Sequence, residues 1–259
     1  MTNRGRVPRR LGSSHSVIVT GAASGIGRAM AVESAMSGLD VVLVDRDAEG
    51  IADAARTIDE YAGGRVLDQV AVDLSDPDGV TTVLDSLRSL TAVPMRLFHA
   101  AGSIIRSDSV DEDWNPRVGV NQQTAWFLTR AFCQLLQQYQ LTGAVALLSS
   151  ISVSLGLMSG SSAYATTKAG ISSMVKGFAK TYGPAGIRVN AIAPGLVETP
   201  MVRGGVRDRE VDRLVETQVP LQRTAQPAEV AQAGLFLLSD NASYISGITL
   251  DVDGGWPRR

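Results

Sequence analysis

Two side chains four residues apart, Tyr164 and Lys168, form the pair in this sequence that is best suited to proton transfer. Residues at positions i and i+4 share one face of a helix, so the Lys168 ammonium can approach the Tyr164 phenol. A free phenol has a pKa of about 10, and a nearby cation lowers that pKa by favouring the phenolate. The spacing therefore predicts a tyrosine that works as a general acid or base. Many surface helices contain such a pair by chance, so the interpretation depends on the rest of the chain.

A glycine-rich turn after an apolar run predicts a site for a dinucleotide. The β-branched run Ser16–Thr20 predicts a buried strand, and Gly21, Gly25 and Gly27 follow it. A helical pattern then extends to residue 36, so backbone N–H groups and a helix N-terminus can bind a pyrophosphate. The glycine spacing differs from Gly-x-Gly-x-x-Gly, and the prediction rests on the order of strand, turn and helix.

A second predicted strand, Asp40–Asp45, ends in a carboxylate that can select the cofactor. At this position Asp45 can accept hydrogen bonds from the adenosine ribose hydroxyls, and its charge repels a 2′-phosphate. NAD(H) is therefore expected rather than NADP(H). Arg46 is the opposing feature, because a guanidinium beside the ribose can accommodate a phosphate.

Strand and helix patterns alternate along the rest of the chain. Further helices are predicted at 47–61, 77–90, 112–139, around Tyr164 as far as residue 182, and 227–239. Further strands are predicted at 65–73, 96–102, 143–150, 187–192 and 248–252. This alternation predicts a single-domain α/β fold, in which a doubly wound parallel sheet has helices on both faces. Ligands bind beyond the carboxyl ends of such strands, so Gly102, Ser150 and Gly195 are expected near the glycine turn.

The composition of the 259-residue chain excludes several classes of protein. A net charge of −2 does not suggest a nucleic acid or an anionic membrane as a partner. The single cysteine excludes an intrachain disulfide, and the two histidines lack clustered ligands, so no metal site is expected. No apolar run is long enough to cross a bilayer, and a cytoplasmic protein is expected. Residues 1–14 are basic but lack an apolar segment, which predicts a disordered leader before a domain at 15–259.

Several motifs in a fixed order make the chain resemble the short-chain dehydrogenase/reductase (SDR) family. The similarity covers about residues 14–256. The matching positions are Thr20-Gly-x-x-x-Gly-x-Gly27, Asp73, Asn121, Ser150, Tyr164-x-x-x-Lys168, Asn190-Ala-Ile-Ala-Pro-Gly195, Thr199 and Asp253-Gly-Gly-Trp256. The resemblance implies a Rossmann-like fold and the interconversion of an alcohol and a ketone by hydride transfer, the hydride chemistry belonging to the NAD(P) cofactor.

The same resemblance implies a role for each matching residue. Tyr164 is the general acid/base, Lys168 lowers the phenol pKa and binds the nicotinamide ribose, and Ser150 holds the substrate oxygen. Asn121 supports a water relay behind Lys168. The implied cofactor-binding residues are Gly21, Ser24, Gly25, Ile26, Gly27, Asp45, Arg46, Asp73, Leu74, Ala101, Gly102, Tyr164, Lys168, Pro194, Gly195, Val197 and Thr199.

The chain departs from the family pattern at two points. Ala100 stands where the family has the asparagine of Asn-Ala-Gly, which removes an amide that stabilises the strand ends. The usual position of the catalytic serine falls on Ile151, with Ser150 and Ser152 on either side. Ser150 is preferred because it directly ends the apolar strand.

The substrate is the least determined feature. Residues 195–220 correspond to the mobile lid of the family, and Ser152, Arg106 and Met158 are expected to contact substrate. The turn Ser103-Ile-Ile-Arg106 and the terminal Asp253-Gly-Gly-Trp256 resemble those of sugar-acid dehydrogenases of the family, which implies a sugar acid or another polar hydroxy compound. Arg106 could then bind the carboxylate in bidentate fashion, whereas a solvated arginine is the more frequent alternative. A 3-oxoacyl-(acyl-carrier-protein) reductase is the alternative, and a non-catalytic NAD(H)-binding sensor on the same fold is a second one. The resemblance also implies a homotetramer, assembled through the helix at 112–139 and the helix that contains Tyr164.

Overall fold

Seven parallel strands form the central sheet of the molecule. The computed structural model describes residues 12–61, 63–103, 118–155, 162–203 and 208–256. The strands are β1 (Gly12–Thr20), β2 (Asp40–Asp45), β3 (Val66–Ala71), β4 (Val93–His99), β5 (Gly143–Leu148), β6 (Ile187–Pro194) and β7 (Thr249–Val252). Their order across the sheet is β3-β2-β1-β4-β5-β6-β7, so the chain reverses direction across the sheet between β1 and β4. A reversal of this kind creates a crevice at the carboxyl ends of the strands.

Helices cover both faces of this sheet in the described residues. They are α1 (Gly25–Met36), α2 (Ala48–Tyr61), α3 (Gly79–Ser89), α4 (Thr124–Gln138), α5 (Ser152–Leu155), α6 (Ser162–Tyr182), α7 (Pro200–Arg203), α8 (Asp208–Gln218) and α9 (Pro227–Leu238). The predicted doubly wound α/β fold is confirmed.

Alternating side chains of the strands build two separate cores. In β1, Ile18 points into the core that α3, α4 and α6 cover, while Val17 and Val19 point into the core beneath α1, α2 and α9. This division follows from the period of two residues in a strand. Because both faces are buried, the central strands are continuous apolar runs, which is why the sequence predicts them well.

Two predicted boundaries differ from the structure. Strand β1 begins at Gly12, and Gly12 and Ser13 pair with the start of β4, so residues 12–14 belong to the sheet and not to the predicted leader. The helix predicted at 112–139 is not one regular α-helix, because a π-helical turn occupies Val118–Gln123 before α4 begins. The ladder to β4 extends β1 beyond its apolar run, and local pattern does not reveal such pairing.

The described helices were also compared with the dimensions of a bilayer. None of them is both long enough and apolar enough to span one.

Candidate active site

The carboxyl ends of the strands surround a cleft of about 380 Å³. All residues predicted to bind the cofactor line it, together with Ser150 and Ser152. From the predicted lid, Met201 and Val202 of α7 reach its edge. Arg106 and Met158, the other predicted substrate residues, lie outside the described part of the chain. The cleft therefore brings together seven segments singled out in the sequence: the glycine turn, the ends of β2 and β3, the segment after β4, the Ser150 loop, the Tyr164–Lys168 pair and the segment 194–199.

The glycine turn between β1 and α1 leaves no room for side chains. Gly21 has a φ of +69°, and a Cβ at this position would lie 2.9 Å from the carbonyl carbon of Ala100. A Cβ on Gly27 would lie 2.0 Å from the carbonyl oxygen of Gly21. The Ser24 side chain makes no capping hydrogen bond to α1, and the first turn of this helix contains no acidic residue. The N-terminus of α1 can therefore bind a pyrophosphate through its own N–H groups.

Asp45 closes the adenosine end of the cleft. One carboxylate oxygen accepts a hydrogen bond from the backbone N–H of Ala23 at 3.1 Å, and the other accepts one from the N–H of Asp47 at 3.1 Å. The bond from Ala23 ties the end of β2 to the glycine turn, and the bond from Asp47 is local, so that together they hold the carboxylate at the cleft wall. Its position suits a partner for ribose hydroxyls.

Asp73 lies beside Asp45 in the cleft wall and engages the neighbouring cation. It accepts hydrogen bonds from the backbone N–H and the hydroxyl of Ser75, at 2.9 and 2.6 Å. Arg46 forms an ion pair with it, with Nη1 3.7 Å from Oδ2, although the Arg46 side chain is 71% exposed. The bonds from Ser75 and the nearby Arg46 charge lower the pKa of Asp73.

Lys168 is buried below Tyr164. Its ammonium donates a hydrogen bond to the carbonyl oxygen of Leu148 at the end of β5, at 2.8 Å. Nζ lies 5.8 Å from the centroid of the Tyr164 ring, within reach of a cation–π interaction. Burial lowers the pKa of Lys168 to about 8. The pair predicted from its i, i+4 spacing is therefore in contact, with the ammonium over the ring.

Tyr164 differs from its predicted electrostatic state. Burial raises the pKa of its phenol to about 12, and the hydrogen bond with Ser150 acts in the opposite direction. The prediction that the phenol pKa is lowered is wrong for this structure. Loss of solvation disfavours the phenolate more strongly than its neighbours stabilise it, and burial also weakens the charge of Lys168.

The two candidate serines have different positions. Ser152 donates to the Ser150 hydroxyl oxygen through both its backbone N–H and its Oγ, at 3.2 and 2.9 Å. Ser150 Oγ accepts these bonds, and its own proton is directed to the Tyr164 phenol, with which it is hydrogen-bonded. Ser150 is therefore the serine next to the tyrosine, and Ser152 supports it from behind.

Asn121 is fully buried behind the cleft in the π-helical turn. Its Oδ1 accepts a hydrogen bond from the N–H of Ser103 at 2.8 Å, and its Nδ2 donates to the carbonyl oxygen of Ser103 at 2.9 Å. A Cβ built on Gly102 would lie 2.9 Å from Asn121 Oδ1 and 3.4 Å from Lys168 Nζ, so Gly102 lies between these two groups. The side chain thus fixes the segment after β4, and its part in a water relay stays a prediction.

Two buried polar groups near the site make hydrogen bonds that were not predicted from the sequence, although Ser149 was expected at this end of the sheet. The Ser149 hydroxyl donates to the carbonyl oxygen of Lys168 at 3.0 Å and lies 2.8 Å from Ser172 Oγ, which joins the end of β5 to α6. His99, at the end of β4, is hydrogen-bonded to Thr20 and Thr124. The only signal for His99 in the sequence is a histidine inside an apolar strand.

Comparison with known proteins identifies the family. The family model described as enoyl-(acyl carrier protein) reductase matches residues 21–257. A relative from Sinorhizobium fredii, named an uncharacterised short-chain type dehydrogenase/reductase, is 35% identical over 253 residues, 96% of this chain and 44% of that protein. The chain belongs to the SDR family. Members of this family are oxidoreductases that act on CH–OH groups with NAD(P), and this chain is such an oxidoreductase.

Two further members are similar over nearly their whole length. The L-rhamnose 1-dehydrogenase (NAD(P)⁺) of Azotobacter vinelandii is 34% identical over 253 residues, which cover 93% of this chain and 95% of that enzyme. A crystal structure from Agrobacterium tumefaciens, proposed to be a 2-deoxy-D-gluconate 3-dehydrogenase, contains bound NADP. It has a TM-score of 0.83 and 31% identity, and the match covers 97% of this chain and 99% of that one.

The residues of this chain fit an SDR dinucleotide. Close backbone packing at Gly21 and Gly27 shapes the turn, the first turn of α1 has no acidic residue, and Asp45 is oriented by two backbone N–H groups. Lys168 and Tyr164 line the opposite end of the same cleft. A nicotinamide dinucleotide bound in this cleft would have the α1 N-terminus for its pyrophosphate, Asp45 for its adenosine ribose, and Tyr164 and Lys168 at its reacting end.

Proposed function

We propose that this SDR protein is an NAD(H)-dependent oxidoreductase that interconverts a secondary alcohol and a ketone, with a sugar acid or another polar hydroxy compound as substrate. The observation that carries the proposal is the contact of Ser150 with the Tyr164 phenol above a buried Lys168. It lies in the same cleft as the glycine turn and Asp45. This arrangement supports a role for Tyr164 as a proton donor beside a bound dinucleotide.

The side chains of the site account for the movement of the proton. Ser150 donates a hydrogen bond to the substrate oxygen and holds it close to the phenol. In reduction Tyr164 gives its proton to that oxygen, and in oxidation it takes the proton from the alcohol. The nicotinamide ring, when bound, supplies or accepts the hydride. The raised pKa of Tyr164, about 12, keeps the phenol protonated at neutral pH and suits the reductive direction.

Lys168 is assigned a supporting role at the same centre. Its ammonium lies over the tyrosine ring and is held by the Leu148 carbonyl, so it can stabilise the phenolate after the proton has left. With a pKa of about 8, it is mainly charged at neutral pH. It also lines the cleft, where it can donate to the nicotinamide ribose.

The preference for NAD(H) rests on Asp45 and Asp73. Asp45 places a negative charge at the adenosine end, where a 2′-phosphate would be repelled. Arg46, the residue that could accept such a phosphate, is directed to Asp73. The NADP in the Agrobacterium tumefaciens structure belongs to that protein, and the preference here is measured directly by comparing dissociation constants for NADH and NADPH.

We expect the wild-type protein to bind NADH at least about tenfold more tightly than NADPH, which corresponds to roughly 1.4 kcal/mol. Asp45→Ser should remove most of this preference, because the repelling carboxylate is gone. Arg46→Ala is the matched control and should leave NADH binding unchanged. Tighter binding of NADPH by the wild type would refute the preference.

The polar character of the substrate is supported by two observations. The cleft combines hydroxyl groups of Ser150 and Ser152 with Met201 and Val202 from α7, so its reacting end is not wholly apolar. The Azotobacter vinelandii relative acts on a sugar, as its name states. The alternative, a 3-oxoacyl-(acyl-carrier-protein) reductase, is favoured by the description of the matching family model, which names an acyl carrier protein.

Turnover with a panel of substrates distinguishes these possibilities. The panel contains sugar acids, free sugars, cyclic alcohols and 3-oxoacyl thioesters, and nicotinamide absorbance reports the reaction. We expect NAD-linked oxidation of a polar hydroxy compound, and loss of turnover in Tyr164→Phe with cofactor binding retained. Activity confined to the thioesters would favour the alternative. Cofactor binding without turnover on any compound would favour the non-catalytic sensor.

The proposed assembly is a homotetramer built through α4 and α6. On α4, Phe127 and Trp126 are 51% and 43% exposed, which is unusual for large apolar side chains. The Trp126 ring packs against the buried Phe178 of α6, with centroids 4.8 Å apart, so this surface borders α6. A second copy of the chain is the occupant proposed for this surface.

A further inference from the structure

A chain of buried hydrogen bonds runs behind the cleft through His99. The histidine is 1% exposed, and its partners Thr20 and Thr124 are 0% and 3% exposed. Nδ1 lies 2.9 Å from Thr20 Oγ1, and Nε2 lies 3.3 Å from Thr124 Oγ1. The three residues come from the ends of β1 and β4 and from the start of α4.

The hydroxyl protons determine which ring nitrogen carries hydrogen. Thr20 Oγ1 accepts a bond from the N–H of Ala101 at 3.2 Å, so its own proton is free to donate to His99 Nδ1. Thr124 Oγ1 donates its proton to the carbonyl oxygen of Val120 at 2.6 Å, so it accepts from His99 Nε2. The Thr124 bond requires hydrogen on Nε2, and a neutral ring then leaves Nδ1 as the acceptor of the Thr20 proton.

Burial agrees with the neutral ring. Loss of solvation, together with the nearby Lys168 charge, lowers the pKa of His99 to about 3. The ring is therefore uncharged at neutral pH, and its donor and acceptor keep one direction. Each hydroxyl in the chain both accepts and donates one bond, so no buried polar group of the chain is left unsatisfied.

The two ends of this chain meet the wall of the cleft. At one end Thr20 holds Ala101, directly before Gly102. At the other end Val120 precedes Asn121, whose amide holds both backbone groups of Ser103. The segment 101–103 is thus fixed from both sides, and Gly102 faces Lys168 Nζ across a gap that a Cβ would nearly fill.

We propose that His99 is a positioning residue, which fixes segment 101–103 between the glycine turn and Asn121 through a neutral ring protonated on Nε2. Ala100 has no side-chain amide with which to hold this segment, so the histidine that precedes it supplies the link. The inference rests on the proposed function for its effect on turnover, whereas the ring tautomer and cofactor affinity can be measured without a substrate.

The tautomer is read by NMR of protein labelled with ¹⁵N in the histidine rings. The chain has only two histidines, and the other, His15, is exposed on β1 and serves as the reference signal, assigned with His15→Gln. We expect the His99 ring at pH 7 to be protonated on Nε2 alone. A ring protonated on Nδ1, or on both nitrogens, would overturn the proposal.

The positioning role is tested with a matched pair of threonine variants on α4. Thr124→Val removes the acceptor of His99 Nε2 at nearly constant volume. Thr129→Val is the control, because Thr129 is also fully buried on α4 and its hydroxyl has no hydrogen-bond partner within the described structure. We expect Thr124→Val to weaken NADH binding about five- to tenfold and to alter the His99 ring signals, while Thr129→Val changes neither.

Two substitutions at the histidine itself complete the test. His99→Asn keeps an acceptor near Nδ1 for Thr20, and His99→Phe keeps only the volume. Because His99→Asn keeps the Thr20 bond and loses the Thr124 bond, we expect it to weaken NADH binding about as much as Thr124→Val, five- to tenfold. His99→Phe loses both bonds and should weaken binding more than tenfold, with kcat lowered more than the KM for substrate is raised. Unchanged NADH affinity in both His99→Phe and Thr124→Val would refute positioning. If no substrate is found, the NADH affinities still test the positioning role of His99. A failure of the proposed function can therefore be distinguished from a failure of this inference.

Discussion

Two opposing effects, burial and a hydrogen bond, determine the pKa of the Tyr164 side chain. Burial raises its pKa to about 12, and the bond with Ser150 lowers it. Lys168 is close enough to interact with the ring, but burial reduces its own pKa to about 8. The site as described therefore holds a protonated phenol and an ammonium that can lose its charge in mildly basic solution. A bound dinucleotide and substrate would change the pKa values of both groups.

The two serines should differ in their effect on turnover. Ser150→Ala removes the hydroxyl in contact with the phenol, and we expect kcat/KM to fall about 100-fold or more, as when one preorganised donor is lost. Ser152→Ala removes only a supporting bond to Ser150, and we expect a loss below about tenfold. Steady-state assays of both variants on the same substrate measure this, and the reverse ranking would contradict the assignment.

Lys168 should make stability depend on pH. Its pKa is about 8 in the folded protein, below the ordinary value of 10.5, so the unfolded chain binds more protons between these values. Stability contributed at this position therefore rises with pH across that window. Relative to Lys168→Met, we expect the wild type to gain about 2–3 kcal/mol in unfolding free energy from pH 7 to pH 10. Denaturant titrations at both pH values check this, and a constant difference would contradict it.

At the scale of elements, the turn between β1 and α1 is shaped by contact with the end of β4. The Gly21 backbone lies against Ala100 and Ala101, and Gly27 lies against Gly21. The same turn is linked to β2 through Asp45 and to β4 through Thr20. The cofactor site is thus built where three strand ends meet, and its geometry depends on how those strands are aligned.

Alanine substitutions at Gly21 and Gly177 should distinguish the effect of close backbone packing on stability from the effect of helix propensity. Gly21→Ala places a Cβ at positive φ and 2.9 Å from backbone atoms, so we expect a loss of roughly 1–3 kcal/mol in stability and weakened NADH binding. Gly177 is at an exposed position of α6, and no atom lies within 4 Å of the Cβ that Gly177→Ala would add. This variant should gain up to about 1 kcal/mol. Thermal unfolding and fluorescence titration measure both, and equal effects would contradict the close-packing explanation.

At the scale of the whole molecule, the sheet separates two cores, and each core supports a different half of the cleft. The core beneath α1, α2 and α9 supports the adenosine half of the cleft, and the core beneath α3, α4 and α6 supports the catalytic half. The second core also continues outward into the exposed aromatic surface of α4. Assembly through this surface would lie directly behind the elements that hold Lys168 and Asn121.

A charge on this surface should change the size of the assembly. We expect Phe127→Asp to lower the solution mass from that of a tetramer to a smaller species, because it would bury an unpaired carboxylate at the interface. Tyr61→Asp is the control, since Tyr61 is 68% exposed but lies on α2, away from this surface. Light scattering measures the mass. A tetramer in Phe127→Asp, or a monomeric wild type, would contradict the assembly.

The amino-acid sequence was sufficient to predict the architecture and most of the cleft. Apolar runs of strand length alternate with helical patterns, and a parallel sheet brings the ends of those runs together whatever their exact register. The glycine turn and the Tyr164–Lys168 spacing are local patterns. Their place in the cleft could therefore be predicted from the strands and helices next to them in the sequence. The starts of β1 and of the helix predicted at 112–139 were predicted less well. Pairing with β4 extends the start of β1, and a π-helical turn precedes α4.

The electrostatics and the hydrogen-bond partners could not be predicted from the sequence, because they depend on contacts formed on folding. The direction of the Tyr164 pKa shift, the order of Ser150 and Ser152, and the pairing of Asn121 with Ser103 all depend on which atoms are neighbours after folding. Thr20 and His99 are 79 residues apart in the chain and 2.9 Å apart in the fold. Local propensity acts over a few residues, whereas desolvation and hydrogen bonding depend on packing across the whole sheet.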